Sequence, residues 1–207
     1  MKETGATKAA AERFFRAYHT HCVSPDVDSL FNLLNAAHSL NDKMRKESSL
    51  DFFDVDEFIA LKALRNLFHH QEELTSEVRI VAARDVSINT DLMFLCLVPR
   101  SLIEKAIDGL DKKRRPREEP RIRDVLKWYR NVVNINPCIF NFAVHVFERV
   151  ESLALSLDSD EYLELKESYD YESDRGLSHF VNGDVACLAG DVDVMLAIVF
   201  SDIAEHK

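Results

Sequence analysis

"DVDEFIALKALRNLFHHQEEL", residues 54 to 74, decides the fold class. Its hydrophobic residues recur at three- and four-residue intervals, the period of a helix and not of a strand. Turning about 100° per residue, Leu61, Ala63, Leu64, Leu67, Phe68 and Leu74 share one arc of roughly 160°. Lys62, Arg65, Asn66, His69 and His70 fill the opposite sector. Asp54 and Glu57 stand at capping-box spacing at its start. The stretch is predicted to be one amphipathic helix over 54–74 that buries Leu64, Leu67 and Phe68.

The same period extends to both sides. A first helix is predicted from about Thr7 to Cys22, with Ala11, Phe14, Phe15 and Tyr18 on its apolar side. "SPDVDSLFNLLNAAHSLNDKMRK", residues 24–46, opens a second, with Ser24 as N-cap and Pro25 at the first helical position, where a missing N–H is harmless. Beyond the central helix, "EVRIVAARDVSINTDLMFLCLVP", residues 77–99, reads equally as strand or as buried helix, because a short apolar run does not separate the two. "SLIE" after Pro99 has capping-box spacing, and Gly109 is placed to end a short helix. "KKRRPREEPRIR", residues 112–123, holds two prolines and seven Lys or Arg and reads as an exposed loop.

"RIRDVLKWYRNVV" follows Pro120 as a further helical segment, and Asn136 with Pro137 restarts a helix as N-cap and first residue. Residues 158–174 are strongly acidic and expected to be solvated, 173–184 read as a loop, and "DVDVMLAIVFSDIAE", residues 191–205, as a closing buried helix. With only five glycines and five prolines in 207 residues, the chain is predicted to be all-α. The expected form is one up-and-down helical bundle over 1–207, with an inserted segment at about 76–120.

The amino terminus lacks the apolar stretch of a signal peptide, and no run approaches the roughly 18 apolar residues that span a bilayer. A cytoplasmic protein without membrane contact is the expectation. Cys22, Cys96, Cys138 and Cys187 lie too far apart for a zinc or redox motif and are expected to be buried free thiols. A net charge of -10 repels a nucleic-acid backbone over most of the surface, so such binding requires a local basic patch. Lys112, Lys113, Arg114 and Arg115 are candidates for that patch, together with Lys62. Trp128 and Tyr129 either add stacking or belong to the core. No metal-ligand spacing, glycine-rich phosphate loop or Gly-x-Ser-x-Gly elbow is present, so no cofactor is expected.

On the central helix, Asn66 and His70 are four apart and in line along the axis, with Arg65 beside them. The plain reading is a solvated polar back, with His69 pairing Glu73 one turn on. His38 and His145 read as packed or satisfied histidines, and Arg149 and Asn141 share the polar side with His145. Two other Arg-to-His spacings, Arg13 to His19 and Arg16 to His21, lack a polar residue after the arginine.

"RNLFHH", residues 65–70, resembles the signature of HEPN domains, in which an Arg, often followed by Asn, His or Asp, precedes a His with four to six residues between them. The resemblance implies a helical bundle and a metal-independent endoribonuclease centre at Arg65, Asn66 and His70. It also implies a homodimer that brings two motif helices together, RNA as substrate, and a role as the toxin of a toxin–antitoxin or anti-phage system, with an antitoxin protein as partner. The alternative is a non-catalytic, all-helical interaction or regulatory protein, either one of the inactive members that the family includes or an unrelated module.

Overall fold

The computed structural model describes residues 5–70, 78–86 and 88–191, with His70 described by its backbone alone. Helix α1 (Gly5–Val23) and helix α2 (Val27–Ser48) form an antiparallel pair against α3 (Asp56–His70). Strand β1 (Arg79–Ala82) and strand β2 (Phe94–Pro99) precede α4 (Arg100–Asp108) and α5 (Arg115–Val125). The hairpin β3 (Lys127–Tyr129) and β4 (Val132–Asn134) leads into α6 (Asn136–Ser152) and α7 (Asp160–Asp174). The protein is mostly helical, but it carries a four-stranded antiparallel sheet in the order β1-β2-β4-β3 and so is not all-α. Among the described residues no helix is long and apolar enough to cross a membrane.

Local chemistry explains the boundaries. Asp26, in extended backbone, caps α2: its carboxylate accepts from Ser29 N at 2.6 Å while Ser29 Oγ accepts from Asp26 N at 2.9 Å. Asp26, and not Ser24, therefore begins the helix. Asp54 does not cap α3, because its carboxylate is bound to Arg149 at 3.0 Å. Asn136 does not cap α6 either. Its side-chain amide donates to Phe94 O at 2.7 Å, and Asn134 Oδ1 accepts from Cys96 N at 3.0 Å, so the two asparagines lock the start of α6 to β2. Residues 71–74 of the expected central helix and the expected closing helix at 191–205, apart from Asp191, lie outside the described residues.

Two expectations fail for identifiable reasons. The first is the all-α class: β2, left open between strand and buried helix, is buried along its whole length, so "FLCLVP" shows none of the alternation by which a half-exposed strand is recognised. In "LKWYRNVV" the alternation is real: Trp128 and Val133 pack toward the main core, Tyr129 and Val132 toward a smaller cluster on the other sheet face. Arg130 turns the hairpin with φ +43°. The second failure is the loop expected over 112–123. From Arg115 onward it is helix, with Pro116 in its first turn and Pro120 inside it. Arg115 and Arg123 both bind Glu119, one turn to either side, at 3.0 and 2.8 Å, and this ladder of charges holds the helix through the proline.

Phe142 of α6 joins the layers. Its ring lies 5.6 Å from Phe14, 5.2 Å from Phe52 and 5.6 Å from Phe58. The acidic helix α7 is not wholly solvated, because Tyr162 turns inward to pack on Phe15 and Phe147. Residues 181–186 then cross back over the sheet. Gly183 sits there at φ +72° against Pro137, and a Cβ at that position would fall 2.1 Å from the proline ring. All four cysteines are free; Cys96 and Cys138 are buried as expected, but Cys22 is exposed and Cys187 only half-buried.

Candidate functional site

The polar face of α3 is not an open, solvated back. α2 packs on one side of it and α4 on the other, leaving Lys62, Arg65 and Asn66 half-buried. Arg65 donates from Nε to Asn35 Oδ1 of α2 at 3.1 Å, and from Nη1 toward Asn66 Oδ1 at 3.5 Å. Two amide oxygens thus fix the plane of one guanidinium, which is the geometry that presents the remaining N–H groups of an arginine to a planar or tetrahedral anion. Asn66 also lines a 340 Å³ cleft between α3 and α4, opposite Lys105 and Gly109. His70 follows Asn66 by one turn and closes the described part of the helix; its side chain lies outside the described residues. His69 is exposed.

The neighbourhood of Arg65 includes a histidine that sequence reasoning assigned to packing alone. His38 of α2 lies 3.4 Å from Asp42 and is half-buried. Burial holds its imidazole below the ordinary value; Asp42 pulls the other way, and the positive charges of Arg65 and Lys62 reinforce the burial. Asn35 and His38 are three apart on α2 and share a face, a spacing present in "NAAHS" but without meaning until α2 is known to lie against α3. Lys62 itself extends over the Phe53 ring, its ammonium 5.5 Å from the centroid.

The basic stretch divides. Lys112, Lys113 and Arg114 are exposed. Arg115 is occupied by Asp108 at 2.8 Å and by Glu119, Arg121 by Asp56 and the Phe53 carbonyl, and Arg123 by Glu104 at 2.7 Å and by Glu119. Most of this charge is consumed inside the fold. Trp128 is not free to stack on a base either: the guanidiniums of Arg100 and Arg123 each lie over its ring, 5.3 Å from its centroid, and its Nε1 donates to Arg123 O.

The remaining candidates are satisfied as expected. His145 lies 3.6 Å from Glu57 and 4.9 Å from the Phe180 ring, and Arg149 holds the turn before α3 through Asp54 and the Asp51 carbonyl. Arg16 and His21, which share the Arg-to-His spacing, do not meet as a pair: Arg16 is exposed, whereas His21 is fully buried and bonded through Nδ1 to Ser29 Oγ at 2.8 Å. Among the described residues no group of three His, Cys, Asp or Glu side chains is placed to hold a metal ion. The chain matches no family model, no curated protein and no solved structure.

Proposed function

We propose that the chain is a metal-independent endoribonuclease acting at Arg65, Asn66 and His70. The observation that carries this reading is the guanidinium of Arg65, held between Asn35 and Asn66 on a half-buried polar face and not extended into solvent. Cleaving RNA without a metal requires a base for the 2′-hydroxyl, an acid for the departing 5′-oxygen, and positive charge at the pentacoordinate phosphorus. Arg65 supplies the charge, His70 the proton-transfer group, and Asn66 the orientation of the arginine. One motif brings one histidine. The second comes from His70 of another copy in a homodimer, or from His38 beside Arg65 in the same chain.

The test is incubation with total RNA in excess chelator. Wild-type protein is expected to leave 2′,3′-cyclic phosphate ends. Arg65→Ala and His70→Ala are each expected to lower turnover about 10²- to 10⁴-fold with a smaller effect on binding. Mixing the two variants restores cleavage if the site is shared between copies, whereas His38→Gln abolishes it if the site is internal. Equal cleavage by wild type and the double variant Arg65→Ala, His70→Ala sinks the assignment. A second reading, a non-catalytic interaction module, is favoured by the same Arg65–Asn35 bond, since it ties α2 to α3. On that reading Arg65→Ala lowers stability and no RNA is cleaved.

A further inference from the structure

A groove of about 470 Å³ runs between α1 and α2, and its lining is unusual for this chain. The sequence holds 36 Asp and Glu, yet no carboxylate lines the groove. Arg13 and Arg16 project from α1, one turn apart, and Asn32, Asn35 and Ser39 line the groove from α2. Ala17 and Ala36 lie between them, small enough to leave the groove open. The arginines of α5 and α6 are all paired with carboxylates. Arg13 and Arg16 have no side-chain partner among the described residues, and both are exposed. Asn35 belongs to the groove and to the candidate site at once, because its Oδ1 is the acceptor for Arg65.

We propose that this groove is the track for a single RNA strand, whose phosphates lie on Arg13 and Arg16 and whose next phosphate reaches Arg65. The choice of ligand follows from the lining. Two guanidiniums at i and i+3, about 5–6 Å apart at their Cβ atoms, suit consecutive phosphates of one strand. The amides and hydroxyl opposite them can bond ribose 2′-hydroxyls as donor or acceptor. No aromatic side chain lines the groove, so bases are not stacked and recognition is of backbone and sugar, indifferent to sequence. The exposed basic residues at 112–114 are then not the main contact. The connection to Arg65 rests on the proposed nuclease reading, whereas strand binding in the groove does not.

The experiment uses a short fluorescent 2′-O-methyl oligonucleotide, whose 2′-oxygen still accepts a hydrogen bond but cannot attack the phosphate, and reads its anisotropy from about 50 to 200 mM salt. Arg13→Gln with Arg16→Gln is expected to weaken binding about tenfold or more. It should also reduce the slope of log affinity against log salt by roughly 1.4, since each phosphate contact on a single strand contributes about 0.7. Ala36→Glu, which puts a carboxylate in the groove, should abolish binding. Lys112→Gln, Lys113→Gln and Arg114→Gln together should leave the slope unchanged. Circular dichroism confirms that each variant is folded. Absence of binding by wild type, an unchanged slope in the arginine variant, a slope change in the 112–114 variant alone, or equal competition by polyglutamate each overturns the proposal. If Arg13 and Arg16 govern binding but no RNA is ever cleaved, the groove stands and the nuclease reading falls. If His70-dependent cleavage occurs while binding ignores both arginines, the reverse holds.

Discussion

His21 makes folding sensitive to pH between about pH 7 and pH 4. It is fully buried, its Nδ1 bonds Ser29 Oγ, its ring stands edge-on to Phe94 at 5.5 Å, and its Nε2 has no partner among the described residues. A proton added to Nε2 would be a buried charge without an acceptor, so burial pushes the imidazole from 6.5 down to about 4, against a weak opposing pull from Asp26. Below 6.5 the unfolded chain takes up a proton that the folded chain refuses. Stability is therefore complete above that value and falls until about pH 4. Applied to that shift, the linkage relation gives a loss of about 2 kcal/mol between pH 7 and pH 5. Urea unfolding at the two pH values measures it, with His21→Asn as the comparison, since Asn can keep the bond to Ser29 but does not titrate. His38, also held below its ordinary value, adds a loss of the same sign that is common to both proteins and cancels. Carboxylates are largely ionised throughout this window. The same loss in His21→Asn as in wild type would refute the reasoning.

Phe142→Ala should destabilise by about 3–5 kcal/mol, because the ring joins Phe14, Phe52 and Phe58 and no neighbour can fill its place; equilibrium urea unfolding reads this directly. Gly183→Ala should cost at least about 1–2 kcal/mol from the left-handed backbone alone and more from the contact with Pro137, lowering Tm and exposing residues 181–186 to protease; Pro137→Ala in the same chain removes the nearer ring carbon but keeps a Cβ 2.6 Å away, so it should recover only a fraction of the contact part. Arg123→Met removes bonds to Glu104 and Glu119 that are about one-third exposed, so the loss should be near 1 kcal/mol and should shrink in concentrated salt; a larger, salt-independent loss would point to packing against Trp128 instead. Sedimentation at micromolar concentration checks the homodimer, and a monomer there moves the second histidine of the proposed site to His38 of the same chain.

How much of this was legible in the sequence depended on where each residue finds its partner. α3 was readable because its burial is one-sided, and the 3.6-residue period of Leu64, Leu67 and Phe68 is the direct trace of a helix with one face in a core. β2 was not, because a strand buried on both faces has no period to read, and its partners lie 12 or more residues away at Arg79–Ala82 and Val132–Asn134. α5 was misread because prolines and basic residues describe composition, whereas the Arg115–Glu119–Arg123 ladder that holds it is a matter of spacing. The site followed the same rule. Arg65 and Asn66 were visible as neighbours on one wheel. Asn35, 30 residues earlier, could be recognised as the acceptor for Arg65 only once α2 was known to pack on α3. Arg13 and Arg16 attracted notice through their spacing to His19 and His21, yet in the fold they serve a groove that contains neither histidine, across from asparagines of another helix. A motif within one helix shows which side chains share a face; which of them share a site is decided by the second helix that covers that face.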